Sequence, residues 1–248
     1  MVRNFKHILL LMIVSLWGIP FGMSQTWLPM DKGIECFYSG SNVKNIIVNP
    51  VTDKLFVSGT FEEDGNCIPM RGIAQWNGQS WDSIGRGSEG IIPRFQMTVY
   101  NDTLYANGNF YDSNINFYLG KWNGNYWDTI IKIPETINTY AQKDGMLYIG
   151  GTFDYLVGDS TFMIKKYDGT RFTGDIPYCF TGSGNAINAM AFYRDTLYVA
   201  GYYDLFSCYG LSSLGKWDGT NLQLLSPAFA NNGANCNILA MAVFQGEL

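Results

Sequence analysis

The sequence predicts an all-β fold assembled from repeated four-stranded antiparallel units. The first indication is a phrase of the type Leu-Tyr-Val-Gly-Gly-x-Phe that occurs four times, beginning at Leu55, Leu104, Leu147 and Leu197. The second is an aromatic-Asn/Asp-Gly turn after each phrase. The third is the glycine content, 28 in 248 residues, which exceeds the usual roughly 7% and suits many short strands joined by tight turns.

The spacing of the phrases predicts how the units are arranged. The leading leucines stand 49, 43 and 50 residues apart, the period of a four-stranded blade. A single such sheet leaves apolar faces uncovered, and radial stacking of copies covers them. The sequence therefore predicts a β-propeller of four-stranded antiparallel blades, four complete blades plus the start of a fifth. The blades span about 45–84, 95–131, 137–173 and 187–226, with a partial blade at 238–248.

Two kinds of glycine support this division into strands. Asn77-Gly78, Asn123-Gly124, Asp168-Gly169 and Asp218-Gly219 each separate two apolar runs. Such dipeptides predict type I′ hairpin turns, in which both central residues have positive φ. A second set closes the second strand of each unit, namely Gly59, Gly108, Gly151 and Gly201. These predict either close packing near the axis or a β-bulge.

The two ends of the sequence predict processing and ring closure. Residues 1–24 combine a basic start with an apolar run and small residues before the break, as in a cleaved secretory signal; the alternative is a membrane anchor. Residues 25–33 resemble the start of a fourth strand and are expected to close the ring as an outer strand. Because the partial fifth blade stops early, we expect the chain to be part of a longer protein.

Charge and histidine content exclude several functions. Asp and Glu number 21 against 16 Lys and Arg, without a basic cluster, which argues against nucleic acid or an anionic membrane as a partner. The one histidine, His7, lies in the signal segment. The mature chain therefore lacks the commonest general base and transition-metal ligand. We expect no cofactor, no metal and no membrane span in the mature chain.

The repeat resembles a kelch-type propeller, and more closely a secreted bacterial repeat. The residues that carry the resemblance in the first unit are Leu55, Gly59, Phe61, Ile73, Ala74, Trp76, Gly78 and Trp81. The chain departs from ordinary kelch units because the double glycine occurs only at Gly150-Gly151 and the paired aromatics are closer together. The resemblance implies a secreted or surface-displayed propeller, often attached to a sorting module of type IX secretion.

Cysteines recur in equivalent loops of the first and fourth units. Cys36 and Cys67 bracket Leu55 much as Cys179 and Cys208 bracket Leu197. The two loops emerge on the same side of a meander, so we predict the disulfides Cys36–Cys67 and Cys179–Cys208. The alternative is that all five cysteines are free. Cys236 lies in another entry loop and has no assigned partner.

Two groups of residues are candidates for a ligand-binding face. Glu62, Glu63 and Asp64 offer oxygen ligands of the kind that calcium prefers, although the spacing does not match an EF-hand and a solvated polar loop is the alternative. A second group could form a stacking platform for sugars, or else pack within the blades: Tyr202, Tyr203, Phe206 and Tyr209.

The leading functional hypothesis is a secreted, non-enzymatic propeller that binds a protein or a glycan through loops on one face. It depends on the repeated scaffold, the variable loops and the lack of a catalytic constellation, because a fold alone does not specify a function. The alternatives are a propeller-type glycan lyase, glycosidase or oxidase, and a passive structural spacer.

Overall fold

A computed structural model describes most of the chain after residue 29. The described residues are 30–31, 33–35, 42–61, 63–64, 66–67, 69–70, 72–84, 91–110, 117–132, 136–152, 164–175, 186–202, 214–220, 222–225 and 238–243. The chain divides into two units, Met1–Met30 and Asp31–Leu248, and every described strand lies in the second. Among the described residues no helix is long and apolar enough to cross a membrane.

The described residues form strands and connecting turns, without a helix. In chain order the strands are β1 (Ile34–Glu35), β2 (Val43–Val48), β3 (Leu55–Gly59), β4 (Glu63–Asp64), β5 (Ile73–Trp76), β6 (Trp81–Ser83), β7 (Ile91–Tyr100), β8 (Thr103–Phe110), β9 (Phe117–Trp122), β10 (Trp127–Lys132), β11 (Ile137–Lys143), β12 (Met146–Gly151), β13 (Ile164–Tyr167), β14 (Phe172–Asp175), β15 (Ala186–Tyr193), β16 (Thr196–Tyr202), β17 (Leu214–Trp217) and β18 (Leu222–Leu224). The predicted all-β class is confirmed.

Sixteen of these strands form four antiparallel sheets with the same meander order. Sheet I is β2-β3-β5-β6, sheet II β7-β8-β9-β10, sheet III β11-β12-β13-β14 and sheet IV β15-β16-β17-β18. Each sheet begins and ends within four residues of a blade range that the sequence predicts. The two remaining strands, β1 and β4, pair with each other beside sheet I.

Adjacent sheets pack through apolar cores that repeat the same arrangement. Phe56, Ile73 and Ile84 of sheet I meet Met97 and Trp127 of sheet II. The next two cores are centred on Tyr105, Leu119 and Leu147 between sheets II and III, and on Ile164, Met190 and Leu197 between sheets III and IV. All three cores form between the same two faces. One is the face that carries Ile73 in sheet I, or the equivalent residue in the later sheets, and the other is the opposite face of the next sheet.

A β-bulge lies opposite the glycine that ends the second strand. The pairing register shifts between Val43 and Asn45, opposite Gly59, and equivalent shifts occur opposite Gly151 and Gly201. A Cβ at Gly59 would lie 2.0 Å from the carbonyl oxygen of Asn42, and the distances at the two equivalent glycines are 2.1 and 2.0 Å. Of the two predicted reasons for these glycines, the structure therefore supports the bulge.

The type I′ turns were predicted at the wrong connections. At the turns between third and fourth strands only the glycines, such as Gly78 at φ 99°, have positive φ, and the Asn or Asp before each glycine does not. Both central residues are positive instead in the turns between first and second strands, at Asn101-Asp102, Asp144-Gly145 and Arg194-Asp195. Only one of these three pairs is Asp-Gly, so a pattern based on Asn-Gly and Asp-Gly pairs could not locate the turns.

Three predicted segments are not found as strands or lie outside the described residues. Residues 238–243 are described and form no strand, since none of their backbone groups joins a ladder with a described neighbour. Of the predicted ring-closing strand 25–33, the described residues Met30, Asp31 and Gly33 are also not strand. The predicted signal segment lies outside the described residues.

Candidate functional site

The strands of each sheet end at two edges with different connections. At one edge, called here the turn edge, short turns join the first strand to the second and the third to the fourth. The other edge is called the loop edge. There the second strand of each sheet leads into a longer segment, 60–72, 111–116, 152–163 or 203–213, and there the last strand of one sheet is connected to the first strand of the next. The predicted ligand-binding residues and the predicted disulfides all belong to the loop edge.

A two-stranded ladder organises the loop edge of sheet I. Ile34 of β1 pairs with Asp64 of β4, and Glu35 pairs with Glu63. The ladder joins the segment that enters sheet I to the segment that follows its second strand. This agrees with the expectation that these two segments lie together.

Asp64 is the centre of a tight turn within this edge. Its side chain is 1% exposed, and Oδ1 accepts a hydrogen bond from the backbone N–H of Asn66 at 2.9 Å. The Asn66 amide in turn donates to Oδ2 of Asp31 at 2.6 Å. Asp64 is therefore a structural carboxylate that shapes the turn, as Asp side chains commonly do. Sequence reasoning missed Asn66 and Asp31, although Asp-x-Asn is a recognisable turn pattern.

Glu63 has a carboxylate oxygen whose hydrogen bonding is unsatisfied. The residue is half-buried, and its Oε1 is buried without a hydrogen-bond donor in the described part of the chain. A buried carboxylate oxygen without a donor is costly, and a donor on a ligand would relieve that cost. Within the described ranges no group of three or more acidic, cysteine or histidine side chains is arranged to hold a metal ion. Glu62, the third member of the predicted calcium group, lies outside those ranges.

The predicted Cys36–Cys67 disulfide is not formed. Cys67 is an exposed free thiol, with a backbone φ of 61° just after the turn at Asp64. Cys36, Cys179, Cys208 and Cys236 lie outside the described residues, so the second predicted disulfide is not addressed.

The predicted aromatic platform falls largely outside the described residues. Tyr202 ends strand β16, but only its backbone is described, and Tyr203, Phe206 and Tyr209 lie in the segment that follows. Their role as a sugar platform stays a prediction.

At the turn edge, the Asn or Asp side chain of each aromatic-Asn/Asp-Gly turn holds the turn closed. Oδ1 of Asn77 accepts from the backbone N–H groups of Gln79 and Ser80 at 2.9 and 3.0 Å. Oδ1 of Asp168 accepts from Thr170 and Arg171, both at 2.8 Å. These bonds stabilise the turn with glycine as the one residue at positive φ, which is why the type I′ prediction failed.

Hydrogen bonds also join the turn edges of neighbouring sheets. The amide of Asn49 donates to the carbonyl oxygen of Asp102 at 3.4 Å, and the hydroxyl of Tyr100 donates to that of Gly145. Lys143 reaches Oδ1 of Asp195 at 2.8 Å. The hydrogen bond to Asp195 raises the pKa of Lys143, and the same bond lowers the pKa of Asp195. One such contact crosses each of the three junctions, so polar contacts link the turn edges of all four sheets.

Buried tyrosines near the second junction are packing residues. Tyr105 lies against Tyr100 and Tyr167 with ring centroids 5.7 and 6.1 Å away. Burial, followed by the neighbouring tyrosines, raises the pKa of Tyr105 to about 12. Because nucleophilic or general-base chemistry needs an activated phenolate, this arrangement favours neutral packing groups.

Comparisons with known proteins do not assign a relative to this site. No protein-family model matches the chain, and no curated protein matches it.

Proposed function

We propose that this protein is an exported β-propeller scaffold that binds a protein or a glycan through its loop edge. The observation that carries the proposal is the difference between the two edges. Short, hydrogen-bonded turns occupy the turn edge, whereas every longer and more variable segment leaves from the loop edge. Binding residues concentrate on loops that a rigid scaffold positions.

Repeated packing between neighbouring sheets supports the propeller arrangement. The same two faces meet at all three junctions, which leaves one face of sheet I without a preceding sheet. Ile46 and Val48 on that face are 63% and 53% exposed, whereas Met97, which holds the position of Ile46 in sheet II, is 3% exposed. A further sheet placed there would cover this apolar patch, and closure of a ring supplies such a sheet.

The chemistry of the loop edge of sheet I favours a polar ligand. Oε1 of Glu63 is buried and lacks a donor in the described part of the chain. In the same turn Asn66 is exposed, and its side-chain amide is bonded to Asp31. Sugar hydroxyls and the basic or amide groups of a protein surface both supply donors for these groups. The proposed ligand is therefore a glycan or a polar protein surface.

Electron microscopy of the secreted protein tests the ring. The whole gene product, with its own N-terminal segment and any blades that follow residue 248, is expressed, recovered from the medium and imaged in negative stain. We expect ring-shaped particles with a central opening, and N-terminal sequencing is expected to begin near Gln25. An open row of sheets in every class average contradicts the propeller, and intact residues 1–24 on the protein contradict cleavage.

A binding screen with matched variants tests the ligand edge. Wild-type protein is applied to a glycan array and to an array of purified extracellular proteins. Loop-edge variants are Glu63→Gln and the combination Tyr203→Ala, Phe206→Ala and Tyr209→Ala. The turn-edge control is Asn125→Ala, whose exposed side chain leaves the backbone bond to Asn123 intact.

The expected result is a ligand whose binding falls at least tenfold in a loop-edge variant and is unchanged in the turn-edge control. Blank arrays, or loss of binding in the control alone, contradict the proposal. Cleavage of an arrayed glycan would favour an enzyme in place of a binding scaffold.

A further inference from the structure

Each hairpin between a third and a fourth strand carries one carboxylate at one of two positions, either in the turn or five residues later. In sheets I and II the turn residue is asparagine, and its Nδ2 donates to an aspartate five residues later. Asn77 reaches Oδ2 of Asp82 at 3.1 Å, and Asn123 reaches Oδ2 of Asp128 at 3.3 Å. The neutral amide is therefore a hydrogen-bond donor to a carboxylate in both hairpins.

Sheets III and IV have the opposite assignment. There the turn residues are Asp168 and Asp218, and the position five residues later holds Thr173 or Gln223. Hydrogen bonds from the Thr170 hydroxyl and from the backbone of Arg171 and Thr170 lower the pKa of Asp168 to about 2. A carboxylate is therefore compatible with the turn position when the residue five positions later is neutral. In none of the four hairpins does the sequence put carboxylates at both positions.

Asparagine followed by glycine is chemically labile, because glycine leaves the attacking backbone nitrogen unhindered. Asn77 and Asn123 are exposed, and nothing lies within 4 Å of where a Cβ on Gly78 or Gly124 would be. The backbone nitrogen of the glycine attacks Cγ of the asparagine, the N–Cγ bond forms, and Nδ2 leaves as ammonia. Water then opens the cyclic imide at either carbonyl and gives aspartate or isoaspartate.

We propose that Asn77 and Asn123 are spontaneous deamidation sites, and that their conversion to aspartate loosens the hairpins of sheets I and II. The amide donor becomes a carboxylate at hydrogen-bonding distance from Asp82 or Asp128, so an attraction is replaced by like-charge repulsion. An isoaspartate product would also displace the backbone of the turn. Sheets III and IV already carry aspartate with a neutral partner at these positions, so their turns have no amide to lose and gain no like-charge pair.

The chain contains a matched internal control for the modification. Asn107-Gly108 is also an Asn–Gly pair, but Asn107 is 2% exposed, whereas Asn77 and Asn123 are exposed. Gly108 lies within the ladder of β8, where the backbone cannot rearrange toward an imide. A fourth pair, Asn232-Gly233, lies outside the described residues.

Peptide mapping of aged protein tests the modification. The folded full-length protein is incubated in mildly alkaline buffer, digested and analysed by mass spectrometry for amide-to-acid conversion. Conversion at Asn77 and Asn123 is expected to exceed that at Asn107 at least tenfold, whereas the denatured chain converts at all three. Equal conversion at Asn107 in the folded protein, or none at the two turn sites, overturns the assignment.

Thermal unfolding of wild type and three variants tests the consequence. Asn77→Asp is expected to lower Tm by about 2–4 °C, and the loss is expected to shrink when salt screens the two carboxylates. Adding Asp82→Thr to Asn77→Asp recreates the pattern of sheet III and is expected to recover most of the loss. Asp82→Thr alone gives the reference, and the same series at Asn123 and Asp128 replaces it if a variant fails to fold. An unchanged Tm for Asn77→Asp, or a loss that Asp82→Thr does not reduce, overturns the proposed repulsion.

Discussion

The side-chain amide of Asn107 bonds to the backbone of Ile137 across the junction between sheets II and III. Nδ2 donates to the carbonyl oxygen of Ile137 at 3.1 Å, and Oδ1 accepts from the backbone N–H of Gln96 at 2.9 Å. Asn107 is 2% exposed, so water cannot readily replace either bond. Similar contacts cross the other junctions, where Asn45 donates to the carbonyl oxygen of Met97 and Asn138 to that of Ile187, at 3.3 and 3.2 Å.

Replacing Asn107 with leucine should destabilise the protein strongly. The substitution fills similar space but removes the partner of the buried carbonyl oxygen of Ile137 and that of the partly buried N–H of Gln96. Each such group costs about 1–3 kcal/mol, so we expect a loss of about 2–4 kcal/mol in the free energy of unfolding, measured by urea denaturation.

Gln142→Ala is the control for this prediction. The Gln142 amide also links sheets II and III, because it donates to the carbonyl oxygen of Val99 at 2.6 Å. Gln142, however, is exposed. Water can take over that bond, so we expect a loss below about 1 kcal/mol. A larger loss at Gln142 than at Asn107 would contradict the assignment of Asn107 as the main polar tie.

Local patterns in the sequence were sufficient to predict the four sheets, but they missed the β1–β4 ladder, and residues 238–243, predicted to begin a fifth blade, are not strand. Apolar alternation around Leu55 and its equivalents, with glycine turns between, located the four antiparallel sheets because both signals depend on neighbouring residues. The amide contacts of Asn107 were not predictable in this way. They join Asn107 to residues 30 and 11 positions away in sequence. An asparagine within an apolar strand also resembles a turn residue when tertiary contacts are unknown.

The candidate site was predicted less well, for a similar reason. The sequence located the acidic segment at Glu63 and Asp64, but whether a carboxylate binds a ligand or shapes a turn depends on which donors surround it. Asp64 proved to be bonded to Asn66, whereas Oε1 of Glu63 lacks a donor in the described part. The Cys36–Cys67 prediction was wrong because equivalent positions in two loops do not establish that two sulfur atoms meet, and Cys67 is a free thiol.

Adjacent substitutions at the end of β3 should have opposite effects. At Gly59 an added methyl group would meet the carbonyl oxygen of Asn42 at 2.0 Å, so Gly59→Ala must displace backbone and should cost about 3 kcal/mol. Ser58 is completely buried, and its hydroxyl lacks a partner in the described part. Ser58→Ala removes that unpaired group and should stabilise the protein by about 1 kcal/mol. Urea denaturation of both variants checks the contrast, and a Gly59→Ala variant as stable as wild type would contradict the bulge geometry.

Arg194→Asn should stabilise the turn between β15 and β16. Arg194 has a φ of 45°, a conformation that costs most side chains about 1–2 kcal/mol and asparagine less. The substitution also loses a cation–π contact, with Cζ of Arg194 5.0 Å from the centroid of Tyr193, worth about 0.5–1 kcal/mol at an exposed site. We expect a net gain of about 0.5 kcal/mol in urea unfolding. Arg194→Ala loses the ring contact and keeps the unfavourable φ, so it should be less stable than wild type; a more stable alanine variant would refute the backbone argument.

Acid should weaken the turn at Asp168. Its pKa in the folded protein is lowered from 3.8 to about 2, chiefly by the Thr170 hydroxyl, which donates to Oδ1 at 2.6 Å. A carboxyl whose pKa is lower when folded stabilises the fold above its unfolded pKa, and that contribution is lost as pH falls from about 4 to about 2. Asp168→Asn keeps the acceptor oxygen, as Asn77 does in sheet I, but removes the titration.

Thermal unfolding of wild type and Asp168→Asn across this pH range measures the effect. We expect Tm to fall less steeply with acid in the variant. Thr170→Val should act through Asp168 itself, because losing the strongest hydrogen bond raises the folded pKa toward 3.8 and reduces the stabilisation that acid can remove. Identical pH profiles for wild type and Asp168→Asn would show that the ionised carboxylate does not stabilise this turn.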